Sequence, residues 1–347
     1  MPDHPSLKNF LQQAEACDEL GSPFTAALCR LLAHTVDDGS AFGRRIVNWP
    51  DTARADAMPL RVCGALHALA RSGTEPVLTA QYPPHRFDRE ALRTAIKGAI
   101  TRHDQFLCDY LDSPPQTNEV ARSAIILGGM LIVAREMDMP LEILEIGSSA
   151  GLNLMFDSYS YDLGNSRHWG RTDAPLTIAC DWRGEIPALD VPLTVRSRAG
   201  CDQNPLDPRS ERTVERLLSY VWADQFARME RLTAAFGHAA RTGLTVKKAD
   251  AADWLETRLA RPQATGITRV LFHTIVWQYL PKPVQGRAAA AIAGAAMAAT
   301  AERPFAHLAY EGDNERPGGA VRLTLWPGGE SRFLGRADFH GRWVEWN

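Results

Sequence analysis

Glu145, Gly147, Ser149 and Gly151 alternate with other residues in the run Leu141-Glu142-Ile143-Leu144-Glu145-Ile146-Gly147-Ser148-Ser149-Ala150-Gly151-Leu152-Asn153-Leu154. An apolar run of strand length ends in an acid. Two glycines four apart follow, and then a helix-like pattern of Leu152, Leu154, Met155 and Phe156. A strand, a tight glycine turn and a helix start in that order belong at the carboxyl edge of an α/β sheet, where ligands bind. Gly147 lets the chain turn sharply, and Gly151 lets a ligand or a neighbouring strand approach without a Cβ in the way. Free N–H groups at a helix start suit an anionic or polar ligand group. The same residues also spell G-x-S-x-G around Ser149, the spacing of a serine nucleophile raised on a strained turn. A third reading is a glycine turn with no ligand at all.

Other residues fall where chemistry is done. Asp202, in Gly200-Cys201-Asp202-Gln203-Asn204-Pro205, offers two acceptor oxygens side by side; its structural reading is a cap on the turn before Pro205. Asp250 and Ala251 precede a helix that holds Trp254, where an Asp is a favoured N-cap. His273 ends a strand-like run, followed at once by Trp277, Gln278 and Tyr279. A histidine in that place can serve as general base toward a hydroxyl or amine, or fill a purely structural position. Glu311 ends the next strand. Asn118, Glu119 and Arg122, in Gln116-Thr117-Asn118-Glu119-Val120-Ala121-Arg122, lie on the helix that enters the first strand, and part of that pattern is helix-start chemistry.

The elements that must position these residues divide into two stretches. Residues 1–115 read as helices: one from Ser22-Pro23 carrying Phe24, Ala27, Leu28, Leu31 and Leu32, one from near Pro59 to Gly73, and one from Asp88 carrying Leu92, Ile96, Ile100 and Leu107. Pro-rich joints at Tyr82-Pro83-Pro84 and Ser113-Pro114-Pro115 separate them. From 116 to 347 a helix over about Thr117–Met137 leads into alternating strands and helices, as a mostly parallel sheet requires. The strands are Glu142–Ile146, a run at Leu193–Arg198 leading to Asp202, Leu244–Lys248, Arg269–Phe272 and Ala306–Ala309. Helices are expected over Ala150–Ser158, Arg209–Phe236 and the alanine-rich Ala288–Ala301. An antiparallel pair, Val321–Trp326 and Phe333–Trp346, closes the chain around a Pro-Gly-Gly turn.

E-x-G-x-x-x-G at the end of the first strand, with this order of elements, resembles the class I S-adenosylmethionine-dependent methyltransferases over roughly Gln116 to Asn347. The resemblance implies an α/β fold: a Rossmann-like sheet, mostly parallel, with a terminal antiparallel hairpin whose last strand slots into the sheet, and a helical N-terminal region beside it. It implies S-adenosylmethionine as cofactor, with Glu145, Gly147, Ser149, Gly151 and Asn153 around its methionine part, Asp202 on the ribose hydroxyls, and Asp250 with Ala251 at the adenine. It further implies that Asn118 and Arg122 close over the cofactor, Arg122 pairing with its carboxylate, and that His273, Tyr279 and Glu311 face the acceptor. The family has about 20 residues between glycine loop and ribose acid; the longer gap here implies an inserted hairpin at about 162–199. An α/β-hydrolase elbow would need several strands before Leu141, where almost only helix is found.

The whole chain also resembles a bacterial family of unknown function. That likeness rests on Gln116-Thr117-Asn118-Glu119-Val120, the glycine loop with Leu152-Asn153-Leu154, Asp202-Gln203-Asn204-Pro205-Leu206-Asp207 and Trp277-Gln278-Tyr279-Leu280-Pro281.

Composition narrows the rest. The 347 residues carry a net charge of −3, 45% hydrophobic and 23% charged residues, which leaves no basic footprint for nucleic acid. The six cysteines are scattered without metal-ligand spacing, and no metal site is expected. Met1-Pro2-Asp3-His4-Pro5 does not read as a signal peptide, and Ala288–Ala301 is short of a membrane span. The expectation is a cytoplasmic enzyme with no membrane or nucleic-acid partner, methylating a small-molecule acceptor beneath a lid formed by the helical region and the insertion. The alternatives are a serine hydrolase using Ser149 and a non-catalytic protein on the same fold. Neither the acceptor nor an oligomeric state is specified by the sequence.

Overall fold

The computed structural model describes residues 4–50, 53, 56–116 and 118–347. Met1, Pro2, Asp3 and Thr117, which entered the readings of the N-terminus and of the helix start, lie outside them. The chain divides into two compact units: residues 1–117 with 211–230, and residues 118–210 with 231–347.

The first unit is helical among its described residues. Pro23–Thr35 starts at Ser22-Pro23 as the spacing predicts, and Asp88 caps Arg89–Arg102 by accepting from the N–H groups of Glu90 and Ala91 at 3.0 and 2.9 Å. Leu107 belongs to a separate helix, Asp104–Tyr110, rather than to the helix begun at Asp88. The helix expected over Arg209–Phe236 is two helices, Glu211–Tyr220 and Phe226–Thr242. Between them the Asp224 carboxylate accepts from Ser22 Oγ and, at 2.9 Å, from Phe24 N. It therefore caps the Pro23–Thr35 helix, and a tertiary demand overrides helical propensity.

The second unit is α/β with a large, mostly parallel sheet. Its strands are β1 (Leu141–Ile146), β2 (Ser160–Asp162), β3 (His168–Trp169), β4 (Thr177–Ala179), β5 (Asp181–Gly184), β6 (Val195–Asp202), β7 (Lys247–Lys248), β8 (Thr268–Thr274), β9 (Phe305–Glu311), β10 (Gly319–Trp326), β11 (Ser331–Ala337) and β12 (Trp343–Trp346). Among the described residues the main sheet runs β5-β12-β11-β10-β9-β8-β1-β6-β7. The block β7-β6-β1-β8-β9 is parallel throughout. Its centre is buried on both faces: β8 is buried at every position and β1 at five of six, the pattern of strands covered on both sides. Strand order reverses between β1 and β8, so the crevice at their carboxyl ends is a topological switch point.

Three expectations are corrected. Ala150–Ser158 is not an α-helix but 3₁₀ turns over Asn153–Ser158, broken at Met155 (φ −104°, ψ 20°). Asn153, Leu154, Met155 and Phe156 are all buried, so the segment lacks the single apolar stripe of a surface helix. The insertion is more than the single hairpin expected. Positive φ at Gly164, Asn165 and Ser166 turns β2 back onto β3, β4 joins β2 in parallel, and β5 leaves to pair with β12. The last strand is inserted away from the parallel block: β9 to β12 form an antiparallel meander in sequence order, and β12 lies between β11, its antiparallel neighbour, and β5, its parallel one. No helix among the described residues is long and apolar enough to cross a membrane.

Candidate functional site

The carboxyl ends of β1, β6, β8 and β9 assemble the site. Beyond Ile146 the backbone has positive φ at Gly147 (+70°), Ser149 (+51°) and Gly151 (+76°). Such a path suits glycine and strains serine. A Cβ on Gly147 would lie 2.4 Å from Val276 Cγ2, in the loop after β8, so position 147 has no room for a side chain. The loop is tied down by its neighbours: Ser148 N donates to Cys201 O (3.0 Å), Ser148 Oγ to Glu145 O (3.0 Å), and Asn118 Nδ2 to Ser148 O (2.7 Å).

Asp202 ends β6, the parallel neighbour of β1, with its carboxylate on the glycine loop. Oδ2 accepts from Ser149 N at 2.9 Å and Oδ1 from Asn204 N at 2.8 Å. The aspartate thus braces the glycine loop and also caps its own turn. Asp202→Asn exchanges one of these acceptors for a donor that faces an N–H. We expect a loss of about 1–3 kcal/mol in denaturant unfolding. Asp207→Asn, whose carboxylate meets exposed Arg209, should barely move the midpoint. Equal midpoints for the two variants would show that Asp202 is not the brace.

Three buried oxygens at this loop have no hydrogen-bond partner among the described residues: Asn118 Oδ1, Glu145 Oε2 and Ser149 Oγ. Their residues are 6%, 2% and 7% exposed. Buried polar atoms are rarely left so, and three around one loop make a ready polar set for a ligand that carries hydrogen-bonding groups. Burial pushes the Glu145 carboxyl up to about 8; the Asp202 charge adds to this, and the Ser148 bond and Arg122 oppose it. Glu145 is therefore largely neutral at pH 7.

The other expected residues divide. Asn153 Oδ1 accepts from Ser123 Oγ at 2.8 Å, beneath the loop. Arg122 directs Nε to Phe339 O (2.9 Å) and Nη1 to Thr274 O (3.3 Å). Asp250 caps the helix Ala251–Leu259, its Oδ1 accepting from Ala252 N and Asp253 N, and Ala251 is buried. His273 and Glu311 meet, with Nδ1 to Oε1 at 2.6 Å, whereas Tyr279 is 70% exposed and does not join them. His273 Nε2 lies 2.9 Å from His307 Nε2. Both ring nitrogens of His273 are thus engaged within the protein, and the general-base role expected of it does not fit this arrangement. Burial and the neighbouring His273 push the His307 ring down to about 3, so it stays neutral. In the Nε2–Nε2 contact one ring is the donor and the other the acceptor. His307 and Val276 were missed in the sequence: both are ordinary strand and loop residues until β8 and β9 are placed side by side.

A cavity of about 630 Å³ lies elsewhere, lined by Ile132, Arg135, Arg332, Phe333 and Trp346. None of its lining residues carries an unpartnered buried polar atom. Among the described residues no cluster of His, Cys, Asp and Glu could hold a metal ion.

The fold and site define an α/β protein with a glycine-loop site at the switch point of a mostly parallel sheet. The chain belongs to the bacterial family described as "Uncharacterized protein conserved in bacteria (DUF2332)", whose model matches residues 8–346. No curated protein and no solved structure matches it.

Proposed function

We propose that the chain is an S-adenosylmethionine-dependent methyltransferase of Rossmann-like fold acting on a small-molecule acceptor. The observation that carries this reading is the group of three unpartnered oxygens, Asn118 Oδ1, Glu145 Oε2 and Ser149 Oγ, around the glycine loop at the switch point. Asn118 Oδ1 can only accept, the Ser149 hydroxyl accepts or donates, and Glu145 becomes a pure acceptor on losing its proton, so the set suits the ammonium and hydroxyl donors of the cofactor. Asp202 fits the ribose by its place at the end of β6, beside β1. Bound S-adenosylmethionine supplies a methyl group already activated on a sulfonium. The protein's own tasks are then to orient the ligand through Asn118, Glu145 and Ser149, and to exclude water. No residue is assigned as base, since His273 is fully engaged with Glu311 and His307.

Calorimetry with S-adenosylmethionine and S-adenosylhomocysteine tests the reading without knowledge of the acceptor. Saturable binding of both is expected; no heat with either would end it. The serine-hydrolase alternative is kept alive by one feature, the positive φ of Ser149, as at a strained nucleophile elbow. Against it, Ser149 Oγ has no base in contact. Ser149→Ala separates the two. As a ligand contact, its loss should leave unfolding midpoints unchanged or slightly raised, because an unpartnered buried oxygen disappears, while affinity for S-adenosylhomocysteine falls by about 1 kcal/mol, roughly fivefold. Fluorophosphonate labelling of the parent that vanishes in Ser149→Ala would establish the hydrolase instead.

A further inference from the structure

The chain leaves β8 along an unusual path. Ile275, a β-branched residue, has φ +51°, a conformation such side chains adopt only when their surroundings impose it. The imposing contacts are visible. Ile275 N donates to Tyr310 O at 2.8 Å, and Val276 N donates to both carboxylate oxygens of Glu311 at 3.1 Å each. Glu311 is held in turn by His273 Nδ1, and His273 by His307. Trp277 stacks on the His273 ring, with centroids 5.2 Å apart and planes at 25°. The end of this chain of contacts is the Val276 side chain, which occupies the space beside Gly147.

We propose that Val276 is a gate over the glycine loop and that the chain Glu311–His273–His307 is the latch that holds it shut. Glu311 and His273 are then positioning residues: they act on a ligand through Val276. The strain at Ile275 makes the held conformation one that springs away when the Glu311 bond is lost. Since only an open gate admits ligand, apparent affinity is lowered by the fraction of molecules that are open, and weakening the latch raises it. A ligand at the glycine loop is taken from the S-adenosylmethionine reading; the latch itself does not depend on it.

Two variants test the proposal. Glu311→Gln keeps the shape but turns one acceptor into a donor, and Val276→Ala shortens the gate without touching the latch. By hydrogen exchange, Glu311→Gln should speed exchange of the Val276 amide about tenfold, the effect of roughly one hydrogen bond. Unchanged exchange would overturn the latch. By stopped flow with S-adenosylhomocysteine, both variants should associate faster and bind about three- to tenfold tighter. A residue with a merely structural role would move affinity the other way, so weaker binding in both folded variants would overturn the gate. If the parent and both variants all fail to bind while the Val276 amide exchanges faster, the latch stands and the cofactor reading falls.

Discussion

Gly147→Val should cost the protein several kcal/mol of stability as well as its ligand. Two effects add. A β-branched side chain at φ +70° incurs the left-handed penalty, roughly 1–2 kcal/mol. A Cβ at 2.4 Å from Val276 Cγ2 must also push that side chain aside, and overpacking of this kind costs about 1–3 kcal/mol. The short, branched Val276 has little freedom to move, because its own N–H is held by Glu311. Denaturant unfolding checks the sum, and the double variant Gly147→Val with Val276→Ala separates its parts: it should recover the part of the overpacking that the Val276 methyls cause, leaving the backbone share and the 2.9 Å approach of the 276 Cβ. A Gly147→Val protein as stable as the parent would mean that the loop path and the Val276 contact are wrong. Binding of S-adenosylhomocysteine should be lost in Gly147→Val, and retention in a folded variant would remove the glycine loop from the site.

That prediction also marks how far the sequence could be read. The glycine loop was legible because its chemistry is local: an apolar strand, a sharp turn and two glycines four apart describe one piece of backbone. The place of Asp202 beside β1 came from the methyltransferase resemblance, which implies an acid at the end of the strand next to the first. Contacts between strands were not legible. His307 lies 34 residues from His273 and reaches it only because β8 and β9 pair with Leu271 opposite His307. Val276 follows a strand end with no motif of its own, and its meeting with Gly147 is set by the pairing of β1 with β8. Helix boundaries failed where a distant group intervened, as Asp224 does between Glu211–Tyr220 and Phe226–Thr242. The closing pair Val321–Trp326 and Phe333–Trp346 is three strands, β10 to β12, because hydrophobic alternation gives strands but neither their breaks nor their neighbours.

Glu145→Gln should make the protein more stable than its parent as pH rises, and should silence a proton that accompanies ligand binding. Burial holds the Glu145 carboxyl near 8 against an ordinary value of 4.5, so the folded protein binds a proton there that the unfolded chain releases between those values. Stability rises with pH only where the unfolded state binds more protons; here the folded state does. The contribution is fully present below about pH 4.5 and is lost as pH climbs through 8. Gln has the same shape and no charge, so parent and variant should unfold at similar denaturant concentrations at about pH 5. At about pH 8.5 the variant should be ahead by a few kcal/mol at most, each tenfold change in proton affinity being worth about 1.4 kcal/mol. A gap that is the same at both pH values would show that Glu145 is already ionised in the fold. The ligand half follows from the unpartnered Oε2. An ammonium group bound there favours the carboxylate, so at pH 7 binding of S-adenosylhomocysteine should expel close to one proton, seen as a binding heat that depends on the ionisation enthalpy of the buffer. In Glu145→Gln that dependence should vanish and affinity should fall about ten- to a hundredfold, the loss expected when a hydrogen bond to a charged group goes. Buffer-independent heat in a parent that does bind would place the ligand's cation away from Glu145.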